Sequence, residues 1–414
     1  MAQRNKSECR FCSNPLEHIF IDLGNAPPTN SFRTEEQLNE PEVAYPLKVF
    51  VCDNCYLVQV DEHKAHNEIF GNDYVYFSSV SEPWVQHCRK YADSMISNLN
   101  LDNKSQVIEV ASNDGCLLKS FKEKGIPVLG IEPSSNTAKV AIENGIPTIE
   151  KFFGVSLAEE LVKSGKIADL LVGNNVLAHV PDINDFVGGL ERILGEKGVL
   201  TMEFPHLKNL VEQNQFDTIY QEHYSYLSFT FTKDLFKKHG LELFDVEEIP
   251  THGGSLRIYA KHKNDTTKKI SDRIFQLEKV EIDAGMKSLD FYKGFAPKVD
   301  KVKYDLMNFL IKQKQEGKSV VGYGAAAKGN TLLNYCGVRK DLLPYVADLT
   351  PFKQGKYLPQ SHIPVFGEEK LKETKPDYIL ILPWNFKEPI KKRLEYTKEW
   401  DAKLVVPIPK LEIL

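Results

Sequence analysis

No run of apolar residues in this 414-residue chain approaches the roughly 18 needed to cross a bilayer as a helix, so no spanning segment is expected. Residues 1–20 are polar and charged and lack the apolar core of a secretion signal. The protein is therefore expected in the cytoplasm, away from membranes. There is no basic excess: 52 Lys and Arg face 57 Asp and Glu, a net charge of −5, whereas a general nucleic-acid surface is usually basic. Internal repeats and low-complexity tracts are lacking too. Cysteine is sparse, and in a reducing cytoplasm seven cysteines do not imply disulfides. Cys88, Cys116 and Cys336 are scattered and read as packing residues. What remains, 42% hydrophobic and 26% charged residues, is ordinary for a soluble enzyme, and the length fits about three domains of ~150 residues each.

Residues 1–70 are punctuated by cysteine and hold short β-like pieces such as Leu47–Cys52. A connection follows, with Tyr74-Val75-Tyr76-Phe77-Ser78-Ser79 and an amphipathic helix over Trp84–Leu99. From Gln106 strands and helices alternate. Strands are expected at Val107–Val110, Val128–Glu132, Ala168–Gly173 and Gly198–Glu203, with a helix at Cys116–Lys124. That alternation specifies a parallel, doubly wound sheet. Lys268–Gln315 reads as charged helix with a break near Gly294 and Pro297. A second series, Ser319–Tyr323, Tyr345–Ala347 and Tyr378–Leu382, reads as a Rossmann-like domain. The division is 1–70, 71–262 and 263–414.

Cys9-x-x-Cys12 and Cys52-x-x-Cys55 are two knuckles whose four thiolates can close a tetrahedral shell. Such a shell suits zinc in a structural role, and the ligands alone would also accept iron. Glu109-Val110-Ala111-Ser112-Asn113-Asp114-Gly115 follows the first strand and varies the acidic-x-Gly-x-Gly-x-Gly turn, keeping only Gly115 of the three glycines. Small residues there let a ligand approach the backbone, and the next helix offers free N–H groups. Glu132 ends the next strand, where a carboxylate can accept both hydroxyls of a ribose. With no phosphate-reading glycine pattern or Walker lysine here, S-adenosylmethionine is favoured over a dinucleotide.

Asn175 and His179 follow the strand Ala168–Gly173, at the edge where such sheets form a crevice. Asn175 can face the cofactor and His179 the substrate, although a lone histidine is as often structural. In Tyr220-Gln221-Glu222-His223 a helical turn puts Tyr220 and His223 on one face. A neutral histidine can take a proton, a carboxylate beside it can bias it, and a tyrosine can donate to an oxyanion. The other reading is an aromatic packing stripe. Gly322-Tyr323-Gly324-Ala325-Ala326-Ala327-Lys328-Gly329-Asn330 resembles a phosphate-cradling turn with Lys328 as a point charge, or else a scaffold turn. Asp348 can bind a sugar hydroxyl.

In this order, the paired CxxC knuckles, the Glu109–Gly115 turn, Asn175-x-x-x-His179-x-Pro181, Tyr220-x-Glu222-His223 and the 322–330 loop resemble the C-methyltransferases that act on nucleotide-linked deoxysugars. The resemblance covers nearly the whole chain. It implies an α/β protein with a small N-terminal zinc-binding domain, a central class I methyltransferase domain and a C-terminal Rossmann-like domain, the substrate lying in a cleft between domains. It implies His223 as base with Glu222 and Tyr220 beside it, His179 as a second active-site histidine, and Tyr74, or else Tyr76, as an N-terminal active-site tyrosine. Glu132 and Asn175 would contact S-adenosylmethionine along with Glu109, Ser112, Asn113 and Gly115. Lys328 and Asn330 would meet the nucleotide. The expected reaction is removal of the C-3 proton of a 4-keto-6-deoxysugar, stabilisation of the enolate by Tyr220 or His179, and in-line attack on the sulfonium methyl. The partner is a nucleotide-diphosphate deoxysugar, with no nucleic acid and no membrane, and the protein is expected to act as a monomer.

Three alternatives remain. Methyl transfer to oxygen or nitrogen of another small molecule would use the same cofactor loop without a carbon acid. A zinc-containing nucleic-acid binder would need a basic cysteine module, yet only Arg33 and Lys48 are basic between Cys12 and Cys52, against six acidic residues. An NAD-dependent enzyme would need a fuller glycine pattern at residues 322–330.

Overall fold

The computed structural model describes residues 8–71 and 77–414. Tyr74 and Tyr76 lie outside the described residues. The chain divides into two compact units, each built from three separate segments. The first is Met1–Leu16, Cys52–His206 and Tyr224–Lys287, and the second is Glu17–Val51, Leu207–His223 and Ser288–Leu414.

The first unit is organised on a seven-stranded sheet. From one edge, Thr148–Ile149, Val128–Ile131, Val107–Val110, Ala168–Asn174 and Leu194–Pro205 run parallel. Ser255–His262 and then Leu241–Ile249 complete it as an antiparallel hairpin. Val107–Val110 is buried along its whole length, Glu109 included, so apolar residues occupy both of its faces. The connection from this strand runs to one side and that from Ala168–Asn174 to the other, placing the switch point between the two. The four strands expected here are present; the last is longer than its apolar stretch indicated.

The helix Glu82–Leu99 buries Cys88, Tyr91, Ala92 and Met95 at i, i+3, i+4 and i+7, against a core that includes Leu117, Phe121 and Tyr259. A proline in its first turn is tolerated because N–H groups there have no intrahelical acceptor. Asn100 ends it in the left-handed region, φ 53°. The helix Phe229–Lys238 is fixed by a buried carboxylate: Glu281 accepts from Phe229 N at 2.6 Å, Thr230 N at 2.8 Å and His206 Nε2 at 2.7 Å. Those donors hold Glu281 ionised against the cost of burial, which alone would raise its pKa.

In the second unit, Val365–Phe366, Val346–Ala347, Val320–Tyr323, Tyr378–Ile381 and Lys403–Val406 form a parallel sheet, ended by antiparallel Glu412–Ile413. The hairpin His18–Ala26/Tyr45–Val51 belongs to this unit. Its Phe20 stacks on Phe295 at 4.6 Å. The expected break at Gly294 separates Leu289–Lys293 from Phe295–Gln315. Pro297 does not contribute to it, since it sits in a first turn, where no helical hydrogen bond is lost. A second interruption, at residues 284–288, was not expected; Gly285 there has φ 88°.

Candidate active site

At the end of Val107–Val110 the chain takes left-handed φ at every second residue: Ala111 56°, Asn113 51° and Gly115 76°. These are the three positions at which the glycine-rich version of the turn would carry glycine. The backbone is therefore that of the full motif, although two of the three side chains are not glycine. Glu132 locks it, accepting from Asn113 N at 2.8 Å and Ser134 N at 2.9 Å. Burial raises the Glu132 pKa, and these donors pull against it. Gly130 must lack a side chain, because a Cβ would lie 2.5 Å from Ser112 Oγ. From the other side Ser78 N donates to Asn113 Oδ1 at 2.9 Å and Ser79 Oγ to Asp114 Oδ2 at 2.6 Å.

Several buried polar atoms at this strand edge have no protein partner: Glu109 Oε2, Ser112 Oγ, Asp114 Oδ1, Asn174 Oδ1 and Asn175 Oδ1. Native interiors rarely leave such atoms unpaired, so their concentration fits a polar ligand such as S-adenosylmethionine. Burial drives the Glu109 pKa well up, so its carboxyl favours the neutral form. Asn175 has φ 55°, and its Nδ2 lies 3.3 Å from His252 Nε2. His252, also left-handed at 54°, faces the Trp84 ring at 6.0 Å. Nearby in sequence to Trp84, His87 bonds Glu203 at 2.9 Å, and Arg257 Nε donates to the same carboxylate at 2.7 Å. Sequence reasoning passed over His252, His87, Glu203 and Arg257. The one available signal was Gly253-Gly254 in a strand-to-strand turn beside a histidine.

His179 ends a short 3₁₀ turn, Leu177–His179, half-buried with its ring edge-on to Phe70 at 5.5 Å. The turn is tied to the residue after His223 by Tyr224 N donating to Ala178 O at 2.8 Å.

In the second unit Tyr220–His223 forms a turn closed by His223 N donating to Tyr220 O at 3.0 Å. The two rings lie 4.1 Å apart, as the i, i+3 spacing required. His223 Nδ1 lies 2.8 Å from Thr218 O. A carbonyl can only accept, so Nδ1 carries the hydrogen and the basic lone pair is on Nε2. Glu222 is buried and accepts from Asn30 Nδ2 at 2.7 Å.

Lys328 and Asn330, two residues apart, have separate partners. Lys328 Nζ donates to Asn385 Oδ1 at 2.9 Å and sits 4.8 Å from the centre of the Trp384 ring. Burial lowers its pKa, opposed by Asp217. Asn330 is 1% exposed, donates to Thr29 O at 2.6 Å, and leaves Oδ1 unpartnered. Asp348 is buried at a strand end, and its two oxygens accept from Ala325 N at 2.6 Å and Thr350 N at 2.7 Å.

The Sγ atoms of Cys9, Cys12, Cys52 and Cys55 all lie within 4.8 Å of one another. Cys9–Cys55 and Cys12–Cys52 are 3.6 Å apart and Cys12–Cys55 3.7 Å. A tetrahedron with metal–sulfur bonds of ~2.3 Å has edges of about 3.8 Å, so these three edges match a zinc-centred shell. Each knuckle turns through one left-handed residue, Ser13 at φ 60° and Tyr56 at φ 59°. The remaining cysteines, Cys88, Cys116 and Cys336, are buried or half-buried and form no disulfide.

A doubly wound sheet ending in a reversed hairpin, with a ligand-ready turn after its central strand, is the class I methyltransferase fold. Family models match in chain order: "Putative zinc binding domain" over residues 9–70, "Methyltransferase domain" over 84–246 and "C-methyltransferase C-terminal domain" over 250–409. C-methyltransferase NovU of Streptomyces niveus is 31% identical over 407 residues, 98% of this chain and 96% of that protein. The chain belongs to this C-methyltransferase family and is an S-adenosylmethionine-dependent enzyme with a zinc-binding module. Solved structures similar in part include an S-adenosylmethionine-dependent methyltransferase of Thermotoga maritima, 19% identical, covering 48% of this chain and 100% of that one, TM-score 0.36. Another is magnesium protoporphyrin IX methyltransferase of Synechocystis with bound S-adenosylmethionine, 16% identical, covering 47% and 88%, TM-score 0.33. At those scores neither adds to the assignment. Among the described residues no helix is long and apolar enough to cross a membrane.

Proposed function

We propose that the protein methylates C-3 of a nucleotide-linked 4-keto-6-deoxysugar, acting as a cytoplasmic monomer through functional modules at 1–70, 71–262 and 263–414. The observation that carries this reading is the His223 tautomer. With Nδ1–H on Thr218 O, Nε2 is the basic nitrogen, which a carbon acid requires and a ready-made oxygen nucleophile does not. His223 takes the C-3 proton, and the electron pair passes to the C-4 oxygen as an enolate. Tyr220 or His179 donates to that oxygen, and Glu222 steadies the imidazolium. Tyr74, with Tyr76 as the alternative, is the further active-site tyrosine. Bound S-adenosylmethionine supplies the electrophilic methyl group that such a carbanion accepts. Glu132 receives its ribose hydroxyls, and Glu109, Ser112, Asn113, Gly115 and Asn175 hold the rest. Lys328 and the unpaired Asn330 Oδ1 meet the nucleotide.

The test is deuterium uptake at C-3 in D₂O across a panel of TDP-, GDP- and CDP-linked 4-keto-6-deoxysugars, followed by mass spectrometry with and without S-adenosylmethionine. Uptake without cofactor and methylation with it are expected, and His223→Asn should slow uptake by about 10²–10⁴-fold. Wild-type uptake in His223→Asn would remove His223 as base. Methylation without any uptake would move the acceptor to oxygen or nitrogen.

A further inference from the structure

A carboxylate as buried as Glu222, 5% exposed, needs donors to remain ionised. One donor comes from 192 residues away, Asn30 Nδ2 to Glu222 Oε1 at 2.7 Å. The loop bearing Asn30 is held by two further bonds in the four residues before that contact. Gln221 Nε2 donates to Ala26 O at 2.8 Å, and Asn330 Nδ2 donates to Thr29 O at 2.6 Å. Between those ties Pro27 and Pro28 restrict φ, and Ser31 N closes a turn onto Pro28 O at 3.0 Å. Two successive residues of the histidine turn, Gln221 and Glu222, thus grip one short loop, and Asn330 adds a third tie to it. So many constraints on one loop mark its side chain as placed rather than incidental.

We propose that Asn30 is a positioning residue for proton abstraction, fixing the Glu222 carboxylate in its charged form so that it stabilises His223 as the imidazolium forms. The proposal rests on the reading of His223 as the base. In the step served, the C-3 to hydrogen bond breaks, the proton goes to His223 Nε2 and the electron pair stays on the sugar as the enolate. Nothing is oxidised or reduced. Asn30 touches neither proton nor sugar and acts through the carboxylate. A neutral amide suits this role because it supports the negative charge without offering a competing one. The loop falls within the region matched as zinc binding, yet it belongs to the same compact unit as Tyr220–His223, whereas the four cysteines belong to the other.

The experiment is a double-mutant cycle read by cofactor-free C-3 deuterium exchange on a dTDP-4-keto-6-deoxysugar. Asn30→Asp, isosteric but unable to donate, and Asn30→Ala are each combined with Glu222→Ala. Each single Asn30 variant should exchange about 10–100-fold more slowly, with KM for the sugar and affinity for S-adenosylmethionine within about threefold of wild type. In the Glu222→Ala background neither should slow exchange further. Wild-type exchange in both Asn30 variants, or losses that persist undiminished without Glu222, would overturn the proposal. His223→Asn is the control: if it exchanges normally, the base assignment falls, while normal Asn30 variants beside an inert His223→Asn sink only this inference.

Discussion

Asp217 shows how one residue under the histidine turn can be read through its ionisation. It is fully buried, and its Oδ2 accepts from Trp384 Nε1 at 2.7 Å, while Oδ1 has no partner. Burial lifts its pKa to about 6, with Lys328 and the Trp384 bond opposing. The fold therefore prefers the neutral acid. The stability this gives is complete below the ordinary carboxylate range and is lost as pH rises through about 6. Asp217→Asn keeps the shape and cannot ionise. Its stability relative to wild type should improve by on the order of 2–3 kcal/mol between pH 4 and pH 8, in denaturant unfolding. A difference that stays flat over that range would show that Lys328 holds Asp217 ionised throughout.

At the scale of the element, the turn at residues 111–115 is the clearest case of what sequence does and does not disclose. The strand positions and Glu132 were legible because apolar runs and the alternation of strands with helices are local signals. The left-handed backbone was not, because Ala111 and Asn113 hold the conformation that glycine usually marks. A left-handed Ala costs ~1–2 kcal/mol, and glycine returns ~0.5–1 of that as chain entropy. Ala111→Gly should therefore stabilise the protein by about 0.5–1 kcal/mol in urea unfolding. Asn113→Gly should not, because it also forfeits the bond from Ser78 N, worth ~1 kcal/mol. Equal gains at both positions would mean that the Ser78 contact contributes nothing. The Tyr220–His223 pair was legible from its spacing, but its supports were not. Asn30 lies among turn-forming residues that carry no motif, and the distance in sequence to Glu222 hides their meeting. The cysteine knuckles, by contrast, carry their geometry within four residues each.

At the scale of the whole molecule, the cysteine module is fastened to functional segments of its own unit. Arg10, inside the first knuckle, donates to Pro181 O at 3.0 Å, just past the His179 turn, and lies 5.4 Å from the centre of the Tyr224 ring. Val60 N donates to Tyr224 O at 3.1 Å, and Val58–Val60 pairs with Ser225–Tyr226. A metal on the four thiolates would thus secure the segments carrying Pro181 and Tyr224, while the 111–115 turn is held by Glu132, Ser78 and Ser79 without it. A closed four-thiolate shell contributes folding free energy and no open coordination position. Cys12→Ser, or stripping by a chelator, should release one zinc per chain, lower the thermal midpoint and abolish the proposed C-3 exchange. Affinity for S-adenosylmethionine should stay within about threefold of wild type by calorimetry, because none of its proposed contacts depends on the knuckles. If cofactor affinity collapsed with the metal while residual exchange survived, the module would be supporting the cofactor turn instead, and the link through Arg10 and Tyr224 would have to be abandoned.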